Sequence, residues 1–83
     1  MTNTLQQRKS GRQPVQSSCL TSVGYQVGSR TLEVEFRNGG VYLYFEVPPS
    51  VHAALMTAPS KGRFFAAEVR DRFAHEFSRV RSR

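Results

Sequence analysis

The sequence has no tryptophan, one cysteine and two histidines in 83 residues, and its apolar runs are only a few residues long. Cys19 alone cannot close an internal disulfide. With His52 and His75 far apart along the chain there is no metal-ligand spacing, so disulfide scaffolds and zinc modules are excluded. A membrane span needs about 20 consecutive apolar residues and a secretory leader needs an apolar stretch of its own; neither is present, and a soluble cytoplasmic chain is expected. Acidic residues are scarce as well: six Asp and Glu stand against twelve Lys and Arg, a net charge of +6. What is there, 39% apolar and 11% aromatic side chains, suffices for one small domain, near the size at which a single core holds without staples.

The charge is concentrated at the ends. Residues 1–18 carry Arg8, Lys9 and Arg12 with no acid, and residues 70–83 carry five arginines against Asp71 and Glu76, so each end holds +3 and residues 19–69 are neutral. Such ends suit polyanion contact, because each cation that neutralises a phosphate releases counterions; solubilising tails are the competing reading. The polar stretch 1–18 reads as a flexible basic arm, residues 19–77 as the folded domain and 78–83 as a basic C-terminal tail.

Within the domain, Leu20, Val23, Tyr25 and Val27 suggest a first strand, ended by Gly28-Ser29. Over Arg30–Arg37, Leu32, Val34 and Phe36 alternate with Glu33, Glu35 and Arg37, the period-2 pattern of a half-buried strand whose glutamates form its wet face. Asn38-Gly39-Gly40 then turns the chain into Val41–Val47, closing a hairpin. Pro48-Pro49 ends that strand and Ser50 opens a short helix over Val51–Ala58, stopped by Pro59. Ser60 caps a second helix, in which Phe65, Val69, Phe73, Phe77 and Val80 recur at spacings of 4, 4, 4 and 3. The expected fold is α+β: a three-stranded antiparallel meander followed by two helices packed on one sheet face.

Two stretches can carry chemistry. Tyr42 and Tyr44 share a strand face, and the loop length decides which. A two-residue Asn38-Gly39 loop puts them outside beside the glutamates, where they could stack bases. A three-residue Asn38-Gly39-Gly40 loop, which suits the glycines better, puts them inside beside Phe36 and Val34 as core residues with a polar handle. In Ser60-Lys61-Gly62-Arg63-Phe64-Phe65, two cations occupy a helix start that ordinarily favours acids. Free N–H groups, the Ser60 hydroxyl, the close approach at Gly62 and the heads of Lys61 and Arg63 would offset this by holding a phosphate, with Phe64 as a stacking face. Solvated cations and a glycine that lets two helices turn closely explain the same residues. No Ser/His/Asp or Cys/His set is present, so an enzyme is not expected, nor a cofactor.

Ser22-Val23-Gly24-Tyr25, Leu32-Glu33-Val34-Glu35-Phe36, Asn38-Gly39, Tyr42-Leu43-Tyr44, Val47-Pro48 and Ser60-Lys61-Gly62-Arg63-Phe64-Phe65 with Val69-Arg70, in this order, resemble the KTSC domain between about Ser18 and Phe73. That family is named for its place at the C-terminus of some lysyl-tRNA synthetases and occurs as free-standing small bacterial proteins. Its signature is a tyrosine-any-tyrosine triplet. The resemblance implies Tyr42, Tyr44, Ser60, Gly62, Phe64 and Arg70 as pattern positions, with Val69 where isoleucine is common, and suggests RNA binding by the company the domain keeps. The leading expectation is therefore a small nucleic-acid module, RNA rather than DNA. The body would present Ser60, Lys61, Gly62, Arg63, Phe64, Arg70, Tyr42 and Tyr44, with phosphate contacts from Arg8, Lys9, Arg12, Arg79, Arg81 and Arg83. The alternatives are a site for a small anion such as a nucleotide, or a protein-interaction module docking through a sheet edge.

Overall fold

The structure, a computed structural model, describes residues 12–80. Seven elements follow one another: β1 (Arg12–Pro14), β2 (Leu20–Gln26), β3 (Thr31–Phe36), β4 (Gly40–Tyr44), α1 (Pro49–Thr57), α2 (Lys61–Glu68) and β5 (His75–Val80). The strands form one antiparallel sheet in the order β1-β2-β3-β4-β5. The α+β class and the central meander are as expected, and the sheet is wider by a strand at each edge.

Both additions come from pairing rather than local pattern. Arg12–Pro14 belongs to the sheet and not to the arm: β1 pairs with β2, matching Arg12 to Gly24. Residues 61–80 are not one helix. α2 ends at Glu68, where the N–H groups of Val69 and Arg70 both donate to the Phe65 carbonyl. His75–Val80 pairs with β4 instead. The 4-4-4-3 spacing fits a helix, but β4 would then present a row of unpaired N–H and C=O groups, and β5 satisfies them. Residues 1–11 and 81–83 lie outside the described residues.

In the β3–β4 hairpin the register pairs Leu32 with Tyr44 and Val34 with Tyr42. The parity is that of the three-residue loop, but the loop is Arg37-Asn38-Gly39, two positions earlier in register than Asn38-Gly39-Gly40 implies. Gly39 takes φ 95° and donates to the Phe36 carbonyl at 2.9 Å, while the Asn38 Oδ1 accepts from the Gly40 N–H at 2.8 Å. A left-handed backbone at Gly39 costs little because it has no Cβ. Both tyrosines therefore point to the inner face, and Leu43 is half-buried on the other.

The inner face and the two helices enclose the core: Leu20, Val23, Leu32, Val34, Tyr44, Val47, Leu55, Phe65 and Val69. Proline fits the first turn of α1, where no helical acceptor exists for an N–H, and Pro49 stands there. The inward residues of α1 are Leu55, buried, with Val51 and Met56 packed beside it. Among the described residues no helix is long and apolar enough to cross a membrane.

Candidate ligand-binding cleft

The half-turn from α2 into residues 69–74 leaves a gap between that helix and the β4–β5 end of the inner face. The gap is a cleft of about 440 Å³ whose lining includes Cys19, Phe36, Tyr42, Tyr44, Gly62, Arg70 and His75. Aromatic rings build its walls. Phe36 meets Tyr42 edge-on at 5.6 Å and Phe65 at 5.4 Å; Tyr44 meets Phe65 at 5.3 Å and lies tilted by 30° against His75 at 5.0 Å. Such edge-to-face pairs hold rings in place beyond their area burial. On the helix side Gly62 lies next to Cys19: a Cβ there would stand 3.4 Å from the Cys19 Sγ, in ordinary van der Waals contact.

The polar groups of the cleft are underused. Tyr44 is 3% exposed as a residue, yet neither its hydroxyl nor that of Tyr42 makes a hydrogen bond among the described residues. Among the described residues no fully buried side-chain oxygen or nitrogen is left unpartnered, so the Tyr44 hydroxyl is not sealed in the core but opens into the cleft. Burial above all, then the neighbouring Tyr42, pushes its phenol above the ordinary tyrosine range; Arg70 acts against this and Asp71 adds to it. At neutral pH the group is therefore a protonated O–H donor. Arg70 is exposed, with only a 3.8 Å ion pair to Asp71.

The expected anion site at the start of α2 is put together differently. The Ser60 hydroxyl accepts the Arg63 N–H at 3.3 Å, an N-cap that uses the oxygen intended for a ligand. The Lys61 Nζ turns back to donate to the Ala58 carbonyl at 3.1 Å. Arg63 is exposed, and Phe64 packs against the core rather than offering a free face. Of that stretch only Gly62 and Phe65 line the cleft, where Tyr42, Tyr44 and Arg70 join them. Exposed tyrosines beside Lys61 and Arg63 do not occur.

Arg12 is the clearest departure from a free phosphate contact. On the outer face it lies level with Gly24 and, beyond it, Glu33. With no side chain at Gly24 in between, its guanidinium reaches Glu33, lies 3.6 Å from the Glu35 carboxylate and donates to the Ser22 hydroxyl at 2.9 Å. Ser22 in turn donates to Glu35 at 2.9 Å, and Glu35 is only 4% exposed, so the glutamates are not a wet face. Arg8, Lys9, Arg81, Arg83 and the Arg79 side chain lie outside the described residues.

Sequence reasoning did not place Cys19, Phe36 or His75 at the site. His75 was assigned to a helix, and the strand that carries it to Tyr44 depends on β4. Among the described residues no three of His, Cys, Asp and Glu gather as metal ligands.

Comparison with known proteins agrees with the resemblance. Over 61 residues, 74% of this chain, it is 44% identical to a protein of Tsukamurella paurometabola, of which it covers 91%. It is 41% identical over 61 residues to a lysine–tRNA ligase of Nostoc punctiforme, but spans only 11% of that enzyme. The crystal structure of a KTSC domain protein from Yersinia pestis superposes with a TM-score of 0.80 at 43% identity, covering 82% of this chain and 96% of that one. The sequence profile of the KTSC domain matches residues 16–73, and the chain belongs to that family.

Proposed function

We propose that this domain is a non-enzymatic module that binds single-stranded RNA, with the cleft between α2 and the sheet as its specific contact and the basic ends as its electrostatic one. The observation that carries this reading is the cleft: aromatic rings, a tyrosine O–H without a hydrogen-bond partner among the described residues and the exposed guanidinium of Arg70 at one place. Unstacked bases bind to aromatic surfaces and arginine in sequence-tolerant fashion, at about 1–3 kcal/mol per base. Double helices keep their bases stacked and unavailable to such a gap. The excess of cations beyond residues 19–69 supplies long-range attraction to phosphates. A relative that is a lysine–tRNA ligase, with about a tenth of its length matched, favours RNA over DNA.

Fluorescence anisotropy of a labelled single-stranded RNA with the full chain, over a salt series, tests this. Micromolar or tighter binding is expected, weakened by salt and by Arg70→Ala. Binding that is absent, or equal with Arg70→Ala, overturns the role of the cleft, and equal affinity for single-stranded DNA overturns the preference for RNA.

A further inference from the structure

The cleft has the dimensions and chemistry of a small-ligand pocket. Its volume of about 440 Å³ falls at the lower end of the ~300–1,000 Å³ that such pockets span, room for a single unit rather than a run of stacked bases. Three features define what that unit must carry. The rings of Phe36, Tyr42 and His75 offer surfaces to a planar body. The Tyr44 hydroxyl, in a residue 97% buried and with no hydrogen-bond partner among the described residues, asks for a hydrogen-bonding edge on that body. Arg70, the only arginine or lysine lining the cleft among the described residues, asks for an anion.

We infer that the cleft takes one nucleoside monophosphate unit, its base among the rings with an edge on the Tyr44 hydroxyl and its phosphate on Arg70. This rests on the RNA-binding reading for the source of the unit, an unstacked nucleotide within a strand, but a free mononucleotide has the same chemistry. Gly62 and Cys19 line the space together, the Cys19 side chain lying where a Cβ on Gly62 would touch it.

Cys19 is the chain's one cysteine, it is exposed, and it lines the same cleft, so its alkylation reports occupancy without reference to RNA. The test measures the rate of Cys19 modification by iodoacetamide in the full chain. Adenosine, guanosine, cytidine and uridine monophosphates are titrated in, with inorganic phosphate and ribose 5-phosphate as controls and unlabelled single-stranded RNA as competitor. Mononucleotides should slow alkylation about tenfold at saturation, while phosphate and ribose 5-phosphate leave it unchanged. Tyr44→Phe should raise the half-protecting concentration about fivefold to tenfold, the loss of one hydrogen bond to a ligand. Arg70→Gln, at an exposed position, gives a second variant if Tyr44→Phe lowers the thermal midpoint. RNA that binds by anisotropy while no mononucleotide protects Cys19 overturns the inference and leaves the RNA-binding reading standing. Protection by mononucleotides without RNA binding supports the pocket and overturns the RNA reading. Equal protection by phosphate alone, or no effect of either variant, overturns the assignment of base and phosphate.

Discussion

The two faces of the sheet each hold a cluster of polar side chains among apolar ones, and they differ in whether those groups are already satisfied. On the outer face Arg12, Ser22, Glu33 and Glu35 bind one another through charge-assisted contacts across Gly24. On the inner face Tyr42 and Tyr44, with Arg70 from the turn after α2, border a cleft; among the described residues neither tyrosine hydroxyl has a hydrogen-bond partner, and Arg70 is exposed beside Asp71. A cluster whose groups are saturated by the protein stabilises the fold, whereas one that keeps donors unpartnered at a cavity is prepared for something else. Composition does not separate the two, since either contains an arginine and hydroxyls.

Four measurements break or sharpen this contrast. The largest effect is expected at the outer face. Arg12→Ala leaves Glu35 buried beside Glu33 without its cation and should lower stability by about 3 kcal/mol, read by urea unfolding, as removal of one partner from a buried pair does. A loss below about 0.5 kcal/mol would make the outer cluster no more than surface decoration. Arg70→Ala should do the reverse: stability within about 0.5 kcal/mol of the parent, as for exposed positions, and RNA affinity lower by about 1.5–3 kcal/mol, the range of a hydrogen bond to a charged group. Tyr44→Phe removes a hydroxyl that has no hydrogen-bond partner among the described residues, so unfolding should change by less than about 0.5 kcal/mol while RNA affinity falls by about 1 kcal/mol. A large destabilisation there would show that the hydroxyl serves the fold.

The smallest effect concerns a third place, where His52 stacks on Tyr25 at 4.7 Å with their planes 8° apart. Burial lowers the His52 pKa, so the folded state resists its protonation. The unfolded chain binds that proton first as pH falls below about 6.5. Stability from this group is full above that pH and is lost as pH falls through the lower folded value. Thermal melts between pH 7.5 and 5 should therefore show a small decline that His52→Gln reduces. An unchanged slope in the variant would assign the decline to other groups.

Much of the fold was legible. The alternation through β3 identifies a half-buried strand with no tertiary information, because Leu32, Val34 and Phe36 recur at the pleat's own period. The glycines after Phe36 signal the hairpin, and Pro48-Pro49 marks where the strand stops. The loop's odd length was readable from the preference of glycine for the left-handed region, but its exact register was not: Asn38 and Gly39 suit either of two loop placements one residue apart, which shift the cross-strand pairing by two and put the same face inward. Arg12–Pro14 and His75–Val80 carry no strand pattern strong enough to announce themselves. They become strands because β2 and β4 have open edges.

The candidate cleft was legible in part. Tyr42, Tyr44 and Gly62 stand out from strand parity and the helix start, the family resemblance repeats them and adds Arg70, and the fold brings these four together. Ser60, Lys61 and Phe64 were named with them and are occupied instead by a cap, a carbonyl and the core. From the chain alone a cation at a helix start looks available; whether its flexible head meets a phosphate or the Ala58 carbonyl just past the preceding helix depends on how two helices meet.

The sequence by itself determined the α+β class, the central meander and the concentration of positive charge at the ends, and favoured the inward parity of the tyrosines, because each follows from local period, turn chemistry or counting. Only the tertiary structure decided the two edge strands, the Arg12 cluster and the cleft that gathers Cys19, Phe36 and His75 around the tyrosines. Those depend on contacts between residues distant in the chain, where an unpaired edge or an unpartnered buried charge costs more than any local preference can supply.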